Sequence, residues 1–392
     1  MSPAPDRKKK LIVCVGERLS AIVSKGEISP RYYNPGELFD EIHFFTLKDD
    51  DFRLESLKPA TGKASIHIHT FNADSKLLAK TLGFRPFLMK KWAEAAVKEA
   101  AKIGPALIRC HGTGVHSYLA ACIKKKLGTP YIVSLHSSAH CKALQNAMSF
   151  TEKLAELALK DIQLISLNEA DVIVPVYRGI LKTLEWLGAK PQRMEIIYNA
   201  VNHDNIEIKK DYARAGRLKL LHVGRYKPSN GVENIIRAMQ LLPEAELTLI
   251  GDSPKRIEIE ALADSLGLSE RINFIKSMAN NEICRSLKNY DIYLYFGRTA
   301  GISKGTIEAL LTGLPVIANR QEEAVDEHEG GHLALAELTA EAYASEIRNL
   351  MDNEEERQKL GLAGLSYASS MFSRETTEMK MASLYRELAK EE

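Results

Sequence analysis

Three short segments of the 392-residue chain carry residue types suited to handling an anion. The most informative runs Phe296-Gly-Arg-Thr-Ala-Gly-Ile-Ser-Lys-Gly-Thr-Ile-Glu-Ala-Leu-Leu-Thr-Gly-Leu-Pro315. Ser303 is of a type that caps a helix start. Thr306 to Thr312 reads as a short helix, Gly313 as its left-handed exit and Pro315 as its stop. A helix that starts at the carboxyl end of a strand offers free N–H groups and a positive dipole end, which together make an anion site. Gly305 leaves room for a bulky phosphate and Lys304 adds a point charge. Glu308, one turn in, suits the vicinal hydroxyls of a ribose. The second segment is Gly224-Arg225-Tyr226-Lys227-Pro228-Ser229-Asn230-Gly231. Its glycine permits a sharp turn after an apolar run, and its guanidinium fork fits phosphate oxygens bidentately. The third, Gly251-Asp252-Ser253-Pro254, is another tight polar turn after an apolar run. Taken singly, these are also an ordinary capped helix and solvated surface turns. Their convergence at one sheet edge favours a function.

Short apolar runs alternate with amphipathic stretches along almost the whole chain, and this order positions the three segments. Leu11–Val15, Phe39–Thr46, Ser65–His69, Ala106–Arg109 and Tyr131–Leu135 read as strands. Met89 to Ile103 and about His116 to Leu127 read as helices between them, with Gly128-Thr-Pro130 as a break. Asp171–Pro175 and Glu195–Tyr198 read as two further strands around a helix. Asp204 to Arg217 is polar and reads as a linker. A second series then begins: Leu218–Val223, Glu246–Ile250, Ile272–Ile275, Ile292–Tyr295 and Pro315–Ala318. Strand–helix alternation argues parallel sheets covered on both faces. The expectation is two doubly wound, Rossmann-like α/β domains over 1–202 and 203–370. A last helix follows within 371–392, its stripe built from Met381, Ala382, Leu384, Tyr385 and Leu388. In such sheets ligands bind beyond the carboxyl ends of the strands, where all three segments fall.

Composition narrows the class. Lysine and arginine number 53 against 51 acids, a net +2 that argues against a dedicated nucleic-acid binder. The five cysteines form no Cys-x-x-Cys pair and suggest a reducing compartment. No apolar run reaches the ~18 residues of a membrane span, and the start is polar, so a cytoplasmic protein is expected. Lys90-Lys91-Trp92 leaves room for a peripheral contact at the inner membrane face, although such a tryptophan more often packs inward. Lys124-Lys-Lys126 reads as the solvated end of a helix. His67 and His69 alternate on one strand, and with no partner in view they read as a strand-end pair rather than a metal site.

The ordered set of motifs resembles the GT-B-fold glycosyltransferases of family 4, the "group 1" class of retaining nucleotide-sugar transferases. The resemblance rests on Val223-Gly-Arg225 with Gly231-Val232, on Leu249-Ile-Gly-Asp252 with Pro254, and on Asn199-Ala-Val201. Its strongest piece is Glu308-Ala-Leu-Leu-Thr-Gly313-Leu-Pro-Val-Ile-Ala318. In the first half, Cys110-His111-Gly112 and Pro130-Tyr-Ile-Val-Ser-Leu-His136 are similar to the family's strand ends. The resemblance implies two domains facing a cleft, a last helix within 371–392 that crosses back to the N-terminal domain, and transfer from a nucleoside-diphosphate sugar to a glycan or lipid-linked acceptor. It implies a donor mostly on the second domain and no metal or other cofactor. Arg225 would hold the diphosphate, His136 would orient sugar or acceptor, and Glu308 would bind the ribose. Gly16, Gly224, Gly251, Ser303, Lys304, Gly305 and Thr306 would line the donor. The family's lysine is replaced by Asn230, with Lys227 or Lys304 as substitutes, and its first glutamate by Ala300. The Gly-rich loop is reduced to Val15-Gly16-Glu17-Arg18-Leu-Ser20. The alternatives are a nucleotide-sugar 2-epimerase on the same fold, or a sugar-nucleotide-binding protein without catalysis. The first would react with donor alone; the second would bind donor without turnover.

Overall fold

The computed structural model describes residues 8–24, 30–73, 86–136, 160–199, 201, 204–224, 231–252, 255–297, 301–321 and 325–390. The chain divides into two compact units, one of residues 1–200 with 375–392 and one of residues 201–374. Each is built on a six-stranded, all-parallel sheet.

The first sheet holds β1 (Lys10–Val15), β2 (Glu41–Thr46), β3 (Ser65–Thr70), β4 (Leu107–His111), β5 (Tyr131–Leu135) and β6 (Val172–Pro175). The second holds β7 (Leu218–Val223), β8 (Ala245–Ile250), β9 (Ile272–Ile275), β10 (Ile292–Tyr295), β11 (Val316–Asn319) and β12 (Ala334–Ala336). The first runs β3-β2-β1-β4-β5-β6 and the second, from its other edge, β9-β8-β7-β10-β11-β12. Each is therefore the doubly wound order, reversing between its first and fourth strands, where ligands bind. The central strands are near-continuous apolar runs buried on both faces: Leu11, Ile12, Val13 and Cys14 are fully buried, as are Leu220, Leu221, Ile292 and Leu294.

Glu195–Tyr198 forms no strand. Met194 makes an isolated bridge to Ile173, and Glu195 and Ile197 donate to the carbonyls of Ile173 and Pro175. The segment lies along the edge of β6 without a full ladder. The polar 204–217 segment is not a loose linker. Lys209 is buried, its N–H donating to Thr312 O at 2.7 Å. Tyr212 is also buried, and its hydroxyl donates to Gly313 O at 2.8 Å. Arg357 grips the Tyr212 carbonyl through two nitrogens. Three polar contacts outweigh the segment's weak periodicity, and they brace the exit of the 304–312 helix. Lys124 is likewise held, by both oxygens of Asp171 at 2.7 and 2.8 Å.

The last helix, Arg374–Leu388, packs on the first sheet. Met381, Leu384 and Tyr385 join the cluster of Leu11, Val13 and Phe44. Glu378 accepts from Arg31 at 2.7 and 2.9 Å, and Tyr385 meets Arg109. Among the described residues no helix is long and apolar enough to cross a membrane. Trp92 packs inward, its indole N–H donating to Asn72 O at 3.1 Å, while Lys90 and Lys91 stay exposed.

Candidate active site

In the first unit the carboxyl ends of β1, β4 and β5 gather Gly16, His111, His116 and His136. His111 Nδ1 lies 3.3 Å from His136 Nε2, with the rings stacked at 5.3 Å and 17°. The His116 ring donates from Nε2 to the His111 carbonyl at 2.7 Å. A Cβ on Gly16 would stand 2.6 Å from His116 Nδ1, so β1 and that ring approach closely only across a glycine. Arg109, buried on β4, donates from Nη1 to Tyr32 O at 2.9 Å and to Tyr385 Oη at 2.8 Å. Desolvation, then the nearby Arg109 charge, hold His136 down at about 4 and His111 well below the ordinary imidazole range. A hydrogen bond with Asn199 pulls His136 weakly the other way. At neutral pH these rings are uncharged hydrogen-bonding groups. Among the described residues, the buried His111 Nε2 has no hydrogen-bond partner. Reading the sequence takes Cys110-His111-Gly112 only as a strand end and passes over His116. The signal available was a histidine at a strand's carboxyl end with a second five residues on, at a helix start.

In the second unit, Ser303 caps the Lys304–Thr312 helix. Its Oγ accepts from Thr306 N at 3.1 Å and meets Thr306 Oγ1 at 2.8 Å. The Ser303 carbonyl takes the Ile307 N–H. The amides of Lys304 and Gly305 have no acceptor within their own helix, as at any helix start. Tyr293 ties this start to the end of β7: its hydroxyl donates to Val223 O at 3.3 Å and hydrogen-bonds Ser303. A Cβ on Gly305 would meet that hydroxyl at 2.4 Å. Room for Tyr293, rather than for a phosphate alone, therefore requires glycine there. Gly224 follows β7 with its amide on Ile250 O, packed so that a Cβ would lie 2.8 Å from His222 Nε2. Gly251 follows β8, its amide on Ile275 O.

Glu308 departs from the expectation of an open carboxylate. It is 2% exposed and accepts from Asn280 Nδ2 at 2.9 Å. Lys304 Nζ turns along the helix to Glu308 Oε1 at 3.9 Å, so this ammonium is shared with a carboxylate. The Cys284 thiol also hydrogen-bonds Glu308; desolvation, then this carboxylate, push the thiol up to about 12. Asn280, missed in the sequence, lies in Ala-Asn-Asn281 at the start of the Asn280–Ser286 helix, and nothing local marks it. Arg225, Lys227, Asn230 and Ala300 lie outside the described residues.

One further placement corrects the reading of the sequence. The His67 and His69 pair does have partners: His43 lies on both rings, and Glu41 and Glu99 supply carboxylates.

Comparison with known proteins agrees with this architecture. The family model for glycosyl transferases group 1 matches residues 204–366, and that for glycosyltransferase family 4 matches residues 38–205. The N-acetyl-alpha-D-glucosaminyl L-malate synthase of Bacillus anthracis is 20% identical over 367 residues, covering 90% of each chain. Among solved structures, the sucrose-phosphate synthase of Thermosynechococcus elongatus superposes with a TM-score of 0.73 at 17% identity, covering 97% of this chain and 99% of that one. HepE of Anabaena, in complex with UDP-glucose, gives 0.68 at 16% identity, covering 97% and 100%. With a matched family model on each of two doubly wound sheets, the chain belongs to the group 1 glycosyl transferases of family 4 and is a glycosyltransferase of GT-B fold.

Proposed function

We propose that the protein moves a sugar from a nucleoside-diphosphate sugar to a glycan or lipid-linked acceptor, with retention of configuration and without a metal. The observation that carries this reading is the capped start of the 304–312 helix, tied by Tyr293 to the end of β7. Free amides and the positive dipole end meet there at the sheet's switch point. As the bond from sugar C1 to the β-phosphate oxygen breaks, negative charge grows on the diphosphate. The amides of Lys304 and Gly305, the Arg225 fork and an ammonium from Lys227 or Lys304 stabilise it, replacing a metal. The acceptor oxygen bonds to C1 on the same face, and its proton passes to the leaving phosphate oxygen. His136, neutral at working pH, orients sugar or acceptor. Glu308, steadied by Asn280, receives the ribose hydroxyls. The uridine series comes first for the donor because HepE was captured with UDP-glucose.

A thermal-shift panel of UDP-, GDP- and ADP-sugars tests donor binding: a ligand at a hundred times its Kd stabilises by about 2.7 kcal/mol. Product anomeric configuration by NMR tests retention, and unchanged turnover in EDTA tests metal independence. Arg225→Ala is expected to lower turnover by roughly 10²-fold, as loss of an oxyanion donor does. Isomerisation of the donor without acceptor would instead identify the epimerase.

A further inference from the structure

We infer that Glu41, His43 and His67 form a binding site for one divalent transition-metal ion of the zinc class, in the first unit and apart from the transfer chemistry. Glu41 and His43 are alternate residues of β2, and His67 stands opposite His43 on the edge strand β3. Period-two alternation turns all three to one face of the sheet. One ligand atom from each lies within 4.8 Å of the other two. The His43 and His67 rings stack at 4.6 Å and 15°. His43 is 6% exposed, and among the described residues its buried Nε2 makes no well-formed hydrogen bond. That nitrogen faces Glu41 Oε2 at 3.5 Å, an oxygen that Lys10 Nζ also approaches at 3.5 Å, while Lys8 donates to Oε1 at 3.0 Å. A buried imidazole nitrogen whose polar contact is this long is poorly satisfied.

The surroundings fit a metal-bound His43. Its Nδ1 lies 3.0 Å from His69 Nε2, and His69 Nδ1 lies 3.7 Å from Glu99 Oε1 on the Pro86–Ile103 helix. A ligand histidine characteristically donates its second N–H to a group that fixes its tautomer. With an ion on Nε2, His43 Nδ1–H would donate to His69 Nε2, and His69 Nδ1–H would point to Glu99. Two imidazole nitrogens and one carboxylate oxygen form a zinc-type donor set, and exposed His67 leaves a fourth position open to water. Zinc–ligand distances of about 2.0–2.2 Å require these atoms to draw together, which rotation of the exposed His67 side chain allows. Glu41 opens β2 at the amino end of the sheet, whereas His111 and His136 sit at its carboxyl end. The bound ion would clip edge strand β3 to β2.

The test uses the untagged full chain, stripped with chelator and titrated with Zn²⁺ by calorimetry and with Co²⁺ by visible absorption. The expected result is one ion per chain and a tetrahedral Co²⁺ spectrum. His67→Ala, at an exposed position, should lower affinity by more than the ~10–100-fold that loss of an outer hydrogen-bond partner costs. Glu41→Gln should do the same, and Glu99→Gln should cost that ~10–100-fold itself. Circular dichroism of each variant in chelator checks folding. Absence of stoichiometric binding in the parent chain overturns the site, and so does undiminished binding in folded His67→Ala and Glu41→Gln. Sugar transfer is not the readout, so failure here leaves the transferase reading untouched.

Discussion

The two sheets share one strand order and differ in what stands at their switch points. The first sheet places stacked imidazoles there, His111 on His136, depressed by their burial and then by the charge of nearby Arg109. The second places a capped helix start beside a glycine turn, with a tyrosine joining them. Neutral rings orient a polar group without drawing an anion, whereas free amides and a dipole attract one. The same scaffold thus supplies two different chemistries, decided by a handful of residues after strands β1, β4 and β5 in one unit and β7 and β10 in the other. Both switch points also rely on one device, a glycine pressed against a ring: Gly16 on His116 and Gly305 on Tyr293.

The largest expected contrast is in acid. His43, His69, His111, His116 and His136 in the first unit are all held below the ordinary imidazole range, against His222, His328 and His332 in the second. A histidine with a lowered folded pKa stays neutral in the fold while the unfolded chain takes up a proton. Stability is therefore full above about 6.5 and is lost as pH falls toward about 4, at up to ~1.4 kcal/mol per pH unit for each ring. Hydrogen exchange followed from pH 7 to pH 4 should show the first unit losing protection earlier. Loss in the second unit first would break the comparison.

Gly305→Ala should push Tyr293 off the helix start and weaken nucleoside-diphosphate binding and turnover by roughly 10²-fold. Adding Tyr293→Phe, which removes the clashing oxygen, should restore part of both. Calorimetry with the diphosphate reads the binding; no rescue would mean that the tyrosine is not the obstacle.

A third variant probes the first unit alone. Tyr385→Phe leaves the buried Arg109 short of one acceptor and should cost about 1.5–3 kcal/mol, the range for hydrogen bonds to charged groups. Urea unfolding should show the loss in the first unit, and an equal loss in the second would contradict the packing of the last helix. The smallest expected effect belongs to His136→Ala. An orienting ring is expected to contribute about tenfold in kcat, below the ~10²-fold cost of a 1 Å misplacement. Its diphosphate affinity should be unchanged. A matching fall in that affinity would place the donor on both sheets.

Much of the fold follows from local pattern alone. Apolar runs such as Leu11–Val15 and Leu218–Val223 are strands because both faces are buried, and a strand buried on both faces needs no polar alternation. Ser303, Gly313 and Pro315 mark the ends of the 304–312 helix because capping is a short-range matter of φ, ψ and one hydroxyl. The burial of Glu308 is not local: it depends on Asn280 arriving from another helix. The need for glycine at 305 comes from Tyr293 on a neighbouring strand, and that at 16 from His116 on a helix. Strand register alone sets His43 beside His67, and only the fold of β2 onto β3 brings Glu41 to the pair. The sequence determined the elements and the fold class, because periodicity and capping act within a few residues. The tertiary structure decided which side chains meet and which polar atoms go unpaired, because those depend on contacts between residues far apart in the chain.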